Sequence, residues 1–201
     1  MTLDLNYLLP MYIAHSNKPI SPSPILRQFQ RRECLPMIKT LLWKIDVGMV
    51  RTLTLQESGA VITLGLWGVG DVVGHPLAGV EPYLIECLCK VQAHRLHIDD
   101  GLAIDEVMWS HIHQSQILQR MNYGSIPERL KQFLAWFAYK FGTKSEEGWR
   151  IPNRLTQQDI AEAIGTSRVT ICRLLGELEQ GGIIHSSKKG YLLSHRFQME
   201  R

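Results

Sequence analysis

Two arginines, Arg168 and Arg173, with Val169 beside the first, carry the chemistry that points furthest in this chain. A guanidinium fork can bond O6 and N7 of guanine together, and a valine methyl can touch the methyl of thymine. Short polar side chains crowd around them: Thr156, Gln157, Thr166, Ser167 and Thr170. Such groups bond phosphate oxygens and fix a protein's register on a duplex without reading sequence. Lys188 and Lys189, a little further on, add two positive charges. The spacing therefore predicts binding of double-stranded DNA, with Arg168, Val169 and Arg173 facing bases and the other seven residues facing backbone.

The elements that must hold these residues are legible locally. Thr156-x-x-Asp159 fits a capping box at the start of a short helix. Ile160, Ala163 and Ile164 give it a narrow apolar face, and Ala161 and Ala163 let a second helix approach closely. Gly165 ends it, since glycine takes a left-handed backbone without a Cβ penalty. Ser167 caps the second helix, on which Ile171, Leu174, Leu175 and Leu178 face inward while Arg168, Val169, Cys172 and Arg173 face out. Two helices about a tight turn, the second presenting arginines, form a helix-turn-helix. Gly181-Gly182 stops the second helix. Ile183–His185 and Tyr191–Leu193, joined through Ser186–Gly190, predict a hairpin wing with a basic tip, and Trp149–Ile151 a further strand of that sheet. Ser125-x-x-Glu128 opens a helix whose Leu130, Phe133, Leu134, Phe137 and Phe141 share a face, and Gly142 closes it.

Charge agrees with this placement. Residues 125–201 hold twelve Lys/Arg against eight Asp/Glu, a net +4, whereas residues 1–124 hold ten against eleven, a net −1. The basic excess sits with the motif, as phosphate binding requires. No apolar run approaches the roughly 20 residues of a membrane span, so no membrane partner is expected. The cysteines at 34, 87, 89 and 172 fit neither a metal site nor a disulfide framework, which predicts a cytoplasmic protein with reduced thiols. His94-x-x-His97 and His111-x-His113 do not converge on a metal at strand or helix spacing. Neither a Ser/His/Asp set nor a phosphate loop is present, so no enzyme is expected.

The first half reads differently. Residues 1–24, with four prolines, form an arm. From about 38 to 98, short alternating runs (Leu41–Ile45, Met49–Leu55, Ala60–Leu66, Tyr83–Leu96) are punctuated by Asp46-Val-Gly48, Gln56–Gly59 and Gly65–Gly74, which predicts a β-sandwich or roll. Cys87 and Cys89 are placed on one strand face, buried. Residues 102–123 read as helix. Ile104, Val107, Leu118 and Met121 share a face with His111 and Gln114, a candidate dimer seam or a face laid on the protein's own roll.

This order of roll, connecting helix and winged helix-turn-helix resembles the CRP/FNR family of bacterial transcription regulators over residues 25–195. The likeness is strongest from Leu155 to Ile184, where Ala161–Leu178 looks most like the cyanobacterial nitrogen regulators. The resemblance implies an α+β fold: an arm (1–24), a cyclic-nucleotide-binding-like β-roll (25–98), a dimerisation helix (99–124) and a winged helix-turn-helix (125–201). It implies a homodimer that reads a palindrome with GTA-like and TAC-like half-sites and meets RNA polymerase. It maps the family's base-reading positions onto Arg168, Val169 and Arg173. Val169 follows the nitrogen regulators, where catabolite regulators carry Glu.

Gly70-Asp71-Val72-Val73-Gly74 looks like the family's Gly-Glu-x-x-Gly segment beside the effector pocket. The Arg that holds a cyclic-nucleotide phosphate has no counterpart in Gly79–Cys87, and Glu81 and Glu86 would repel one. A lost charge-assisted hydrogen bond is worth about 1.5–3 kcal/mol, so cAMP is not expected as effector. Gln116 stands where the nitrogen regulators carry an arginine for 2-oxoglutarate, and the roll is shortened between Arg32 and Trp43. No cofactor is expected. A protein acting through partner or small-ligand contacts, with a weak DNA-binding domain, is the competing reading.

Overall fold

A computed structural model describes residues 26–97, 104–152, 155–187 and 190–197. The proline-rich arm, Lys188 and Lys189 lie outside the described residues.

The first half is a roll of seven antiparallel strands: β1 (Leu26–Phe29), β2 (Leu41–Val47), β3 (Val50–Leu55), β4 (Val61–Trp67), β5 (Val72–Gly74), β6 (Leu84–Cys87) and β7 (Val91–His97). One sheet runs β1-β7-β2-β5 and the other β4-β3-β6. Trp43, Ile45, Val50, Trp67, Val73, Tyr83 and Ile85 fill the space between them. The tight turn from β2 to β3 depends on Gly48, with φ 98 and Lys90 O only 2.5 Å from where a Cβ would stand.

The expected single run from Tyr83 to Leu96 is two strands. It breaks at Leu88-Cys89-Lys90, and β6 and β7 pair in different sheets. The break carries neither Gly nor Pro, so alternation runs through it unmarked. Cys87 and Cys89 therefore do not share a strand face. Cys87 ends β6, and burial pushes its thiol up to about 12; Cys89 lies half-buried in the turn.

Helices α1 (Ile104–Met121) and α2 (Ile126–Phe141) follow. The Glu128 carboxylate accepts from the Ser125 N–H and hydroxyl at 2.8 and 2.7 Å, which starts α2 as the sequence predicts. Leu130, Phe133, Leu134 and Phe137 are buried and organise a core that collects Leu118 and Met121 from α1, Met49 and Leu66 from the roll, and the inner faces of the next two helices. Among the described residues no helix is long and apolar enough to cross a membrane.

The face of α1 read from sequence as a candidate seam turns inward, except for Ile104, which is 54% exposed and joins the other stripe. Gln114, Leu118 and Met121 are buried within the protomer, and His111 stacks on Trp67 at 4.1 Å while its Nε2 bonds Val72 O at 2.8 Å. The outward apolar stripe is Ile104, Met108, Trp109 and Ile112, with Trp109 58% exposed. Periodicity found an apolar face but could not say which of two stripes meets the protein's own roll.

A buried cation locks these parts together. Lys140 of α2 pairs with Asp71 at 3.0 Å, donates to Leu66 O at 3.0 Å and Gln114 Oε1 at 3.1 Å, and lies within 6 Å of the Trp67, Trp136 and Phe141 rings. One side chain thus ties the roll, α1 and α2.

Candidate nucleic-acid interface

Helices α3 (Gln157–Ile164) and α4 (Arg168–Gln180) share a core with α2 and are flanked in sequence by the strands of one sheet, β10-β11-β9-β8: β8 (Thr143–Ser145) and β9 (Gly148–Pro152) come before them, β10 (Ile184–Ser187) and β11 (Gly190–Ser194) after. Each end signal works as its chemistry requires. Thr156 Oγ1 accepts the Asp159 N–H at 3.1 Å, and the Asp159 carboxylate accepts the Thr156 N–H at 2.7 Å. Gly165 takes the left-handed conformation, φ 68 and ψ 51. Ser167 Oγ accepts the Thr170 N–H at 3.1 Å and shares a 2.9 Å bond with the Thr170 hydroxyl. Ile171, Leu174, Leu175 and Leu178 are buried.

The opposite face of α4 is open. Arg168, Val169, Cys172 and Arg173 are exposed there, Val169 to 79%. Val169 is thereby free to touch an apolar group on a partner. Arg173 pairs with Glu177 one turn on, an exposed i,i+4 pair of small energy that a guanine can displace. The wing is fastened to α4: the Glu179 carboxylate accepts from the Ser186 N–H at 3.0 Å and the Ser186 hydroxyl at 2.6 Å, and these bonds hold its pKa below the ordinary carboxylate value.

Thr156, Gln157 and Arg168 line one cleft of about 600 Å³. Arg31 and Arg32, in the turn after β1, line it as well. Sequence reading missed these two residues; the available signal was two adjacent arginines in a short loop. Thr166 is half-buried in the turn between the helices, with its N–H on Ala161 O.

The six effector-pocket candidates face different ways. Gly70 and Gln116 are exposed, Asp71 is paired with Lys140, the Val72 carbonyl takes His111, Val73 is in the roll core, and Gly74 is packed on Leu41 and Leu42.

The Crp-like helix-turn-helix domain model matches residues 128–201. The regulatory protein CysR of Synechococcus elongatus is 34% identical over 180 residues, covering 88% of this chain and 87% of that protein. The global nitrogen regulator of Synechocystis is 37% identical over 159 residues, 71% of each chain. The chain belongs to the CRP/FNR family. Solved structures agree on its fold. FixK2 of Bradyrhizobium japonicum superposes with a TM-score of 0.74 at 15% identity, covering 88% of this chain and 94% of that one. A CRP-family regulator of Thermus thermophilus gives 0.72 at 19% identity, covering 86% and 94%. As a CRP/FNR member the protein is a DNA-binding transcription regulator, and its curated relatives are regulators rather than enzymes.

Proposed function

We propose that this CRP/FNR regulator binds a palindromic promoter site as a homodimer, without cAMP or 2-oxoglutarate. The observation that carries the reading is the outer face of α4, where Arg168, Val169 and Arg173 stand exposed at the start of a capped helix. Arg168 and Arg173 take guanines, and Val169 takes a thymine methyl. Likeness to the nitrogen regulators supports GTA-like and TAC-like half-sites. Thr156, Gln157, Thr166, Ser167, Thr170, Lys188 and Lys189 hold the backbone.

The outward stripe of α1 supports the dimer. Ile104, Met108, Trp109 and Ile112 fall at i, i+4, i+5 and i+8, an apolar face that a second copy of the same helix covers. In this division residues 25–98 are the roll, 99–124 dimerise and 125–201 bind DNA. Action without a cyclic nucleotide is supported by the contents of the roll. Trp43, Trp67 and Tyr83 are buried in it, and the Asp71 carboxylate is used by Lys140. Contact with RNA polymerase and work in the cytoplasm, where the promoter is, complete the proposal.

Base substitution tests the assignment. Arg168→Ala should weaken binding to a palindrome of GTA-like and TAC-like half-sites by about 1–3 kcal/mol and erase preference at one base pair of each half-site. Equal preference at every position in the variant and the wild type would remove Arg168 from the reading set.

A further inference from the structure

The cleft beside α3 brings the roll to the DNA face. Among the described residues its lining includes three arginines, Arg31, Arg32 and Arg168, with Thr156, Gln157 and Gln158, and no carboxylate. Two of those arginines come from the turn after β1, far away in sequence.

The two neighbours do different work. Arg32 is a fastener. Its backbone is left-handed at φ 69, which a residue with a Cβ adopts only when its surroundings insist. Here they do: its N–H donates to Cys87 O at 2.7 Å, and its guanidinium meets Glu86 at 3.1 Å and Asp159 at 2.9 Å. Arg51, buried at 6% side-chain exposure, reaches Glu86 and Glu162 alongside it. Together they clamp α3 to the roll through Asp159 and Glu162. Arg31 is the clamp's outermost cation and its most loosely held one. Its side chain is 46% exposed, and Asp159 lies 3.8 Å away, a distance too long for a hydrogen bond.

We infer that Arg31 is a DNA contact supplied by the roll, binding a backbone phosphate that flanks the half-site. This rests on the proposed function, because the duplex must first meet α4. A strand that passes the starts of α3 and α4 runs along the open mouth of the cleft. Arg31 lines the same cleft: Arg32 and Arg51 offset two of the clamp's three carboxylates, and Arg31, 3.8 Å from Asp159 and 46% exposed, offsets the third while its guanidinium stays open to a phosphate. The roll thereby adds affinity and bends or anchors the flank, while sequence reading stays with α4.

The test compares wild type, Arg31→Ala, Arg31→Lys and, as a control for charge alone, Lys44→Ala, an exposed lysine of β2. Each binds the selected palindrome with long flanks and the same palindrome trimmed to its core, across a salt series. Arg31→Ala should lower the salt slope by about 0.9 per protomer and weaken long-flank binding by roughly fivefold per protomer at 150 mM salt. On the trimmed duplex it should match wild type, and Arg31→Lys should restore most of the slope. Equal loss on both duplexes, an equal loss from Lys44→Ala, or no loss at all would overturn the contact. Wild-type protein without sequence preference would sink the reading of α4 and this contact with it; preference without an Arg31 effect sinks the contact alone.

Discussion

Asp71→Asn should weaken the link between the roll and α2. The amide keeps the shape and can still accept the Gly68 N–H, which reaches Asp71 Oδ2 at 2.8 Å. What it removes is the charge opposite Lys140. Both side chains are nearly closed off, Asp71 at 6% and Lys140 at 10% exposure. Removing one partner of such a pair costs about 3–5 kcal/mol, because the other charge stays buried without compensation. With a urea m value of about 2–3 kcal/mol/M, the midpoint should fall by more than 1 M.

Lysine chemistry adds a signature in pH. Burial lowers the Lys140 pKa, and the Asp71 charge and hydrogen bond raise it part of the way back. Without the carboxylate it falls further below 10.5. Between that lower value and the unfolded one, the unfolded chain binds more protons, so stability rises with pH. The cost of Asp71→Asn should therefore shrink on going from neutral pH toward 10. The double variant Asp71→Asn with Lys140→Met should recover most of the loss, since replacing both members of a buried pair is often close to neutral. A single-variant cost under about 1 kcal/mol, or one that does not change with pH, would refute the buried-pair account.

Other outcomes follow from the same geometry. Burial lowers the His111 pKa, partly opposed by its bond to Val72 and by Asp71. The unfolded state then takes the proton first as pH falls below 6.5, so stability should drop there; the drop should flatten in His111→Phe, measured by urea midpoints from pH 7 to 5. Trp109→Glu should shift the protein to monomer in sedimentation without lowering its folded helix content, because Trp109 is 58% exposed on the outward stripe. Unchanged dimerisation would move the interface elsewhere.

Much of the motif is legible in the sequence because its determinants are local. Thr156 with Asp159, Gly165, and Ser167 with Thr170 each act within three residues, and the structure uses every one of them. The roll's strands were legible where glycine marks the turns, as at Gly48, and blurred at Leu88–Lys90, where nothing does. Long-range ion pairs left no local trace. Asp71 looks like part of a pocket segment until Lys140 is placed against it, and Arg31 and Arg32 look like surface charge until α3 stands beside them. The same limit explains α1, where two apolar stripes on one helix share the same period.

The central claim is that α4 reads a palindrome. Selection of tight-binding duplexes from a random pool, with the full chain near 150 mM salt and no added effector, tests it most directly. The account predicts enrichment of paired GTA-like and TAC-like half-sites related by a two-fold axis. Enrichment of no motif, or of an unpaired one, would contradict it.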